Sequence, residues 1–384
     1  MILSGYFRKP EMPLTQKLGQ VSWGLVVLVT LIACVGFVML YSAGNGNINP
    51  WASRQMMRFG PALVLMIGLA LVDVRVWLRY AYVIYLVVLI LLVGVEFFGT
   101  VGMGARRWIN LGVTNVQPSE LMKVALVIVL ARYFHALPDE AVGRPRCLLW
   151  PIALTFVPAA LVLRQPDLGT AIMLVMIGGI VFFMAGVRLW KFAVVIGTGL
   201  GAIPIAWQFL KPYQKQRILT FLDPESDPLG SGYHILQAKI AAGSGGLTGK
   251  GFLKGSQAHL NFLPEKQTDF IWTMMAEEFG LAGGLGLLVL YGLVLAYGFF
   301  IALRCHNQFG RLVAMGINAG FFLYIFINIA MVTGLIPVVG VPLPLISYGG
   351  TSMLTLMIGF GILLSVHVHR DVTIGRVEEG IGPN

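Results

Sequence analysis

Residues 21–41 read VSWGLVVLVTLIACVGFVMLY, a run without a single charged side chain. An α-helix of about 20 apolar residues is long enough to cross the hydrocarbon core of a bilayer. Closed β-barrels also cross membranes, but their strands are shorter and alternate between apolar and polar residues. This stretch therefore predicts a transmembrane α-helix.

The composition of the whole chain agrees with that prediction. Of the 384 residues, 57% are hydrophobic and 11% are charged, whereas a soluble domain carries about 25% charged residues. We predict an all-α polytopic membrane protein with about ten transmembrane helices. The predicted spans are 21–41, 57–73, 80–97, 119–135, 148–164, 170–186, 190–210, 271–303, 312–333 and 351–368.

The net charge of +10 is explained by the basic residues that concentrate in the cytoplasmic loops of membrane proteins. Placing the N-terminus inside puts most basic residues of the short loops on the cytoplasmic side, so both termini are expected there. The domain organisation follows: a tail at 1–20, one transmembrane domain at 21–370 and a tail at 371–384. A large extracytoplasmic loop, 211–270, then separates helices seven and eight.

The distribution of basic residues, cysteines and N-terminal polar residues argues against several kinds of function and site. Basic residues are not interleaved with aromatic residues outside the spans, so nucleic-acid binding is not expected. Cys34, Cys147 and Cys305 have no metal-ligand spacing and imply no disulfide framework. The first twenty residues are polar and lead directly into a full-length span, so no cleavable signal peptide is expected.

Asp269 is the first candidate for chemistry, because it ends the long polar loop just before an apolar span. A carboxylate at a membrane boundary is partly desolvated, which raises its pKa toward the range of a general base. The same position also suits a residue that caps the following helix. The residues alone leave both roles open.

Glu120 and Lys123 are the second candidates, since they are three residues apart on one face of the fourth span. Charged groups within a span are costly and are usually functional. The pair could be an ion pair that serves packing alone, or it could line a cavity. Arg106, Arg107 and Gln117 precede it on the same side of the membrane.

Two further groups of polar residues lie outside these two candidates. Asp167 follows Pro166 in a tight turn and is expected to cap the next helix or to support the site. Lys211, Lys215 and Arg217 could hold a lipid pyrophosphate or anchor the chain to headgroups.

The segment 337–351 has three prolines and no charge, which predicts an irregular loop rather than a helix. Ser347 and Tyr348 are expected to be hydrogen-bonding tips of that loop.

These segments together resemble the SEDS family, named for shape, elongation, division and sporulation. The motifs that carry the resemblance are QPSE at 117–120 with Lys123, RQPDLGT at 164–170, GSGG at 243–246, FLPEKQTDF at 262–270 and PLISYGG at 344–350. They occur in the family's order and span most of residues 20–370. The run 334–344 is similar to the elongation branch, and the threonine-lysine-glycine element of the division branch is missing.

The resemblance implies a peptidoglycan glycosyltransferase that polymerises lipid II at the outer face of the bacterial inner membrane. The family's essential aspartate falls on Asp269, and its glutamate and lysine fall on Glu120 and Lys123. The resemblance also implies a class B penicillin-binding protein, a transpeptidase, as partner. A lipid II flippase is the alternative function, and a scaffold for the transpeptidase is a third.

The chemistry of that reaction assigns the residues. An acceptor hydroxyl must lose a proton, and a pyrophosphate must leave, so one base and several cations are required. Asp269 is the expected base, with Gln117, Asp167 and Ser347 as support for the site. No cofactor is evident. A divalent cation is kept as an alternative, although a single acidic group makes a thin metal site. The expected cations are Lys123, Arg106, Arg107, Lys211, Lys215 and Arg217.

Overall fold

The structure, a computed structural model, describes residues 12–102, 105–110, 112, 115–138, 140–209, 212–223, 231–256 and 265–375. Within these ranges the chain is almost entirely helical. The helices are α1 (Leu14–Gln20), α2 (Trp23–Ala43), α3 (Trp51–Ala70), α4 (Val74–Phe98), α5 (Pro118–Ala136), α6 (Pro145–Arg164), α7 (Leu168–Met184), α8 (Leu189–Phe209), α9 (Pro212–Leu222), α10 (Ser231–Ser244), α11 (Ile271–Arg304), α12 (Gln308–Val332) and α13 (Gly350–Val368).

The predicted fold class is confirmed, because every predicted span coincides with a helix: α2 to α8 in order, then α11 to α13. In the described part of the chain, α2, α4, α6, α11, α12 and α13 are long and apolar enough to cross a membrane. Helix α7 and the first part of α8 are shorter apolar helices. Helix α5 carries Glu120, Lys123 and Arg132 within a comparable length.

Helices α3 and α6 run without interruption through the bundle although both contain proline. Pro151 and Pro158 both lie inside α6, and Pro61 lies inside α3. Pro151 and Pro158 free the carbonyls of Cys147 and Leu154, which accept from the hydroxyls of Tyr133 at 2.7 Å and Tyr85 at 2.8 Å. Membrane helices tolerate proline because such side chains and neighbouring helices satisfy the freed backbone groups.

The core of the bundle is centred on α5, which is buried on nearly all sides. It packs against α4, α7 and α12, while α3 packs against α13 and α11 packs against α12. Many large apolar side chains on α4, α8 and α11 are exposed. An apolar exterior is expected for helices that face lipid, because lipid tails are as apolar as leucine.

The segment between α4 and α5 contains a small sheet that the all-α prediction did not include. Strands β1 (Thr100–Gly102), β2 (Ala105–Asn110) and β3 (Asn115–Val116) pair antiparallel in that order. The hydroxyl of Thr351 at the start of α13 donates to the carbonyl of Asn115 at 2.8 Å. This sheet therefore brings the residues just before α5 against the beginning of α13.

Helix α11 has a kink at Gly280, whose φ of 64° and ψ of −161° suit glycine. In a continuous helix, the amide of Leu281 would bond to the carbonyl of Glu277. Here Leu281 donates instead to the carbonyl of Gly246 at 2.9 Å, and the carbonyl of Glu277 accepts from the amide of Lys250 at 3.0 Å. The ammonium group of Lys250 also pairs with the Glu277 carboxylate at 2.7 Å.

The long polar segment 211–270 is thus largely ordered where it is described. It contains α9 and α10. Residues 245–251 then contact the kink of α11 as described above. A turn at 265–270 leads directly into α11.

Candidate active site

Asp269 lies in the turn at 265–270, half-buried beside a cavity. The amide of Thr268 donates to the carbonyl of Glu265 at 3.0 Å, which closes the turn. Burial, followed by the nearby charge of Glu265, raises the pKa of Asp269 to about 6. Helix α11 has Phe270 at its N-cap position and no side-chain cap, so the capping role left open for Asp269 is not seen.

The loop that joins α12 to α13 packs directly on that turn. The hydroxyl of Ser347 donates to the carbonyl of Thr268 at 2.6 Å, and the amide of Tyr348 donates to the carbonyl of Gln267 at 2.8 Å. The loop is irregular, as its prolines predicted. Ser347 is buried between the two segments, however, and is therefore not an exposed tip of the loop.

A buried network on α5 and α12 forms another wall of the cavity. The ammonium of Lys123 lies 2.6 Å from Oε1 of Glu120, and both residues are buried. The hydroxyl of Tyr324 donates to Oε2 of Glu120. The Lys123 ammonium also lies 4.2 Å from the centre of the Tyr324 ring, a favourable cation–π distance.

Asp167 and Gln117 support a third wall. Asp167 caps α7, because Oδ1 accepts from the amide of Thr170 at 3.1 Å and Oδ2 accepts from its hydroxyl at 3.0 Å. The side-chain amide of Gln117 donates to the same Oδ2 at 3.2 Å. The capping role predicted for Asp167 is therefore present, and it links the start of α5 to the start of α7.

Arg107 on β2 is fixed by main-chain groups. Its guanidinium donates to the carbonyl of Gln165 at 3.0 Å and to the carbonyl of Pro166. Neither of these hydrogen-bond acceptors is charged, so these contacts do not cancel its positive charge. Arg107 is thus a fixed cation on the cavity wall.

The cavity itself has a volume of about 350 Å³. Ligand pockets commonly have about 300–1,000 Å³. The described residues from six segments line it: β2, α5 with Gln117, the turn before α7 with the start of that helix, the turn at 265–270, α12 through Tyr324, and the loop before α13 with Ser352. It therefore joins a carboxylate of raised pKa, a fixed cation and a buried ion pair.

Other predicted site residues lie elsewhere. Arg106 is exposed and Lys215 is half-buried on α9, and neither is among the cavity-lining residues. Lys211 lies outside the described residues, and the side chain of Arg217 is not described. The structure therefore brings together Arg107, Gln117, Glu120, Lys123, Asp167 and Asp269, with Ser347 behind the turn that carries Asp269.

Sequence reasoning missed Trp108 and Tyr324, which both line the cavity. A tyrosine in an apolar span is usually interpreted as an interfacial or packing residue. Only the contact with Glu120, more than two hundred positions away in the chain, assigns Tyr324 to the site. Trp108 follows Arg107 on β2, a strand too short to be recognised by its alternation.

No group of three or more His, Cys, Asp or Glu residues is placed to hold a metal ion within the described ranges. Glu265 and Asp269 are two neighbouring carboxylates at the cavity. Mg²⁺ is commonly bound by one or two carboxylates together with substrate phosphates. These residues thus fit a divalent cation only if the substrate completes its coordination.

The fold and the cavity define a multi-pass membrane protein with a polar cavity at one end of its helical bundle. A family comparison makes this specific: the chain belongs to the FtsW, RodA and SpoVE family of cell cycle proteins, whose family model matches residues 21–372. The family predicted from the sequence motifs is confirmed.

Individual relatives agree over nearly the whole chain. The peptidoglycan glycosyltransferase MrdB of Escherichia coli strain K12 is 45% identical over 349 residues, which cover 91% of this chain and 93% of the relative. A chain of a peptidoglycan synthase complex, solved for the structural coordination of polymerization and crosslinking, matches with a TM-score of 0.81 and 35% identity over 91% of this chain and 98% of that one. The rod shape determining protein RodA of Thermus thermophilus matches with a TM-score of 0.70 and 32% identity over 92% and 98%.

Proposed function

We propose that this protein is a peptidoglycan glycosyltransferase that polymerises lipid II into glycan strands during cell elongation. One observation carries the proposal: the half-buried Asp269, with a pKa raised to about 6, faces the same cavity as Arg107 and the Glu120–Lys123 pair. The names of the curated relatives support the same reaction class.

The reaction needs a base for the acceptor sugar. The acceptor hydroxyl attacks the anomeric carbon of the donor, the bond to the lipid pyrophosphate breaks, and the hydroxyl proton passes to a base. A base works best when its pKa is near the working pH, and Asp269 is the carboxylate at the cavity that burial shifts in that direction. We assign the proton acceptor to Asp269.

The reaction also needs positive charge at the leaving group. Arg107 is held by two carbonyls, so its charge can act on the pyrophosphate. Lys123 is already paired with Glu120, and its net contribution to binding an anion is smaller. We therefore assign the main electrostatic role to Arg107, since charge stabilisation at fixed donors is worth most in a water-poor site.

The surroundings of the enzyme are part of the proposal. The bundle would lie in the bacterial inner membrane with both termini in the cytoplasm, so that the cavity faces outward. The reacting sugars and phosphates would bind at the cavity, while the lipid tails stay in the bilayer. A class B penicillin-binding protein would cross-link the product strands.

The test uses purified protein in vesicles with fluorescent lipid II. Polymer formation and translocation across the vesicle membrane are measured separately, because a lipid flippase is the alternative. Polymer without translocation is the expected result. Translocation without polymer would assign the cavity to transport instead.

A further inference from the structure

Asn328 is a polar side chain near the end of α12 that is fully buried in the bundle. Its side-chain amide group donates two hydrogen bonds, one to the carbonyl of Asp269 at 3.1 Å and one to the carbonyl of Val341 at 2.7 Å. An Asn amide has two N–H donors, and both are used here. The acceptors belong to the two separate segments that form one side of the cavity.

The two bonds hold the backbone of Asp269, from which the carboxylate projects, and the backbone of Val341. Val341 follows Gly340, and a Cβ on Gly340 would lie 3.6 Å from Oδ2 of Asp269. Asn328 therefore holds both the residue that carries the carboxylate and the loop that the carboxylate faces. Helix α12, which carries Asn328, is well packed and gives rigid support, whereas the two segments bonded to Asn328 are irregular.

Other contacts keep the two segments together without Asn328. Ser347 donates to Thr268, and Tyr348 donates to Gln267. Both contacts are made at residues before Asp269 in the turn. Loss of the Asn328 amide should therefore leave the loops docked and change chiefly the placement of Asp269.

We propose that Asn328 is a positioning residue for Asp269. The side-chain amide of Asn328 holds the base at its working distance from the acceptor hydroxyl. This inference rests on the proposed glycosyltransferase function. A base must lie within about 2.6–3.2 Å of the proton that it removes. A misplacement of about 1 Å can lower a rate by about 10²-fold.

The experiment compares the parent protein with Asn328→Leu, which has a similar volume but no donor, in the lipid II polymerisation assay. The expected result is a kcat at least about tenfold lower per folded molecule, with KM within about twofold of the parent. The acid limb of the profile of kcat/KM against pH should also move to lower pH, because a carboxylate released from its place is better solvated.

Two further variants make the result specific. Asn318→Leu removes a similar amide from the same helix, where it donates to the carbonyl of Leu295 at 3.0 Å, and should keep the parental kcat and acid limb. Asn328→Gln keeps the donors on a longer side chain and should recover part of the lost rate. If Asn328→Leu does not accumulate in the membrane, Asn328→Ala, which also lacks the donors, is judged by the same rule.

The outcomes separate this inference from the proposed function. A parental kcat, or a lowered kcat with an unchanged acid limb, overturns the positioning role, since the second pattern is what a structural loss alone produces. Failure of the proposed function is recognised independently, because the parent would then form no polymer or Asp269→Asn would be fully active.

Discussion

Gly340 faces the carboxylate of Asp269, and a Cβ at that glycine would lie 3.6 Å from Oδ2. Gly340 also has a φ of 72°, a backbone conformation that residues other than glycine adopt at a cost of about 1–2 kcal/mol. The loop thus approaches the carboxylate with its least bulky residue, in a conformation suited to that residue.

Gly340→Ala should therefore lower stability and alter the acid–base behaviour of Asp269. The added methyl group excludes water from one side of the carboxylate, so the pKa of Asp269 should rise further. Gly186→Ala is the control, because Gly186 has a φ of 97° and nothing within 4 Å of its would-be Cβ. Both variants should lose stability, but only Gly340→Ala should move the acid limb of kcat/KM upward. An unchanged acid limb would mean that Gly340 does not face the working carboxylate.

Asp269→Asn should reduce polymerisation at least a hundredfold, since general base catalysis is worth about 10²–10⁴-fold. Asn has the size of Asp but cannot accept the proton. The membrane level should be normal, because Phe270 is the N-cap residue of α11 and no side chain caps that helix. Glu265→Gln is the control carboxylate. Near-parental polymerisation by Asp269→Asn, with a loss in Glu265→Gln, would identify Glu265 as the base.

The pH dependence of the parent follows from the raised pKa of Asp269. The ionised form is the base, so kcat/KM should fall about tenfold per pH unit once the pH drops below about 6. Folding stability should depend on pH in the opposite direction to kcat/KM. A carboxyl whose pKa is raised on folding stabilises the protein at low pH, and that contribution is lost as the pH rises through about 6. The pH–rate profile tests the expectation for kcat/KM, and the Tm at several pH values tests the expectation for stability. If the Tm of Asp269→Asn depends on pH as the parental Tm does, the expectation for stability is wrong.

The Glu120–Lys123 pair is expected to be sensitive to the loss of either charge. Removing one member of a buried ion pair costs about 3–5 kcal/mol, because the other charge stays buried. In Lys123→Met, Glu120 keeps only the hydroxyl of Tyr324 among these contacts. Membrane level and polymerisation per molecule should be measured for Lys123→Met, Glu120→Gln and the double variant. Normal levels with lost activity indicate a role in the site, and full activity in Lys123→Met would remove the pair from it.

Orientation in the membrane can be tested by labelling. In a protein whose three native cysteines are replaced, single cysteines at Ser53 and Ser256 should react with an impermeant reagent from outside. A cysteine at Gln308, at the start of α12, should not. The expectation rests on the distribution of basic residues. Labelling at Gln308 from outside would place the Asp269 cavity in the cytoplasm.

The sequence was sufficient for the helices because each span carries its own signal. Even the proline-containing span 148–164 is a continuous helix in the structure, α6. The three-stranded sheet was missed because its strands are two to six residues long, too short for a clear alternation.

The candidate site was only partly predictable, since its geometry depends on contacts between distant residues. Asp269, Glu120 and Lys123 are charged residues at costly positions, so they could be selected from the sequence. Asn328 and Tyr324 lie in apolar helices and were not selected. Their roles depend on partners far away in the chain, and no local pattern records those contacts. Arg106 and Arg107 are adjacent and chemically equivalent. Only the orientation of each side chain on β2 places Arg107 at the cavity and leaves Arg106 exposed.

The kink of α11 has a consequence for how the protein is made. The amides of Leu281 and Ala282 obtain their acceptors from Gly246 and Leu247, so this helix cannot satisfy its own backbone. Unsatisfied backbone groups are not tolerated in lipid, yet residues 245–251 leave the ribosome before α11 does. The required partners therefore already exist when the helix enters the bilayer. A chain that lacked them would present an incomplete helix to the proteases that remove misassembled membrane proteins.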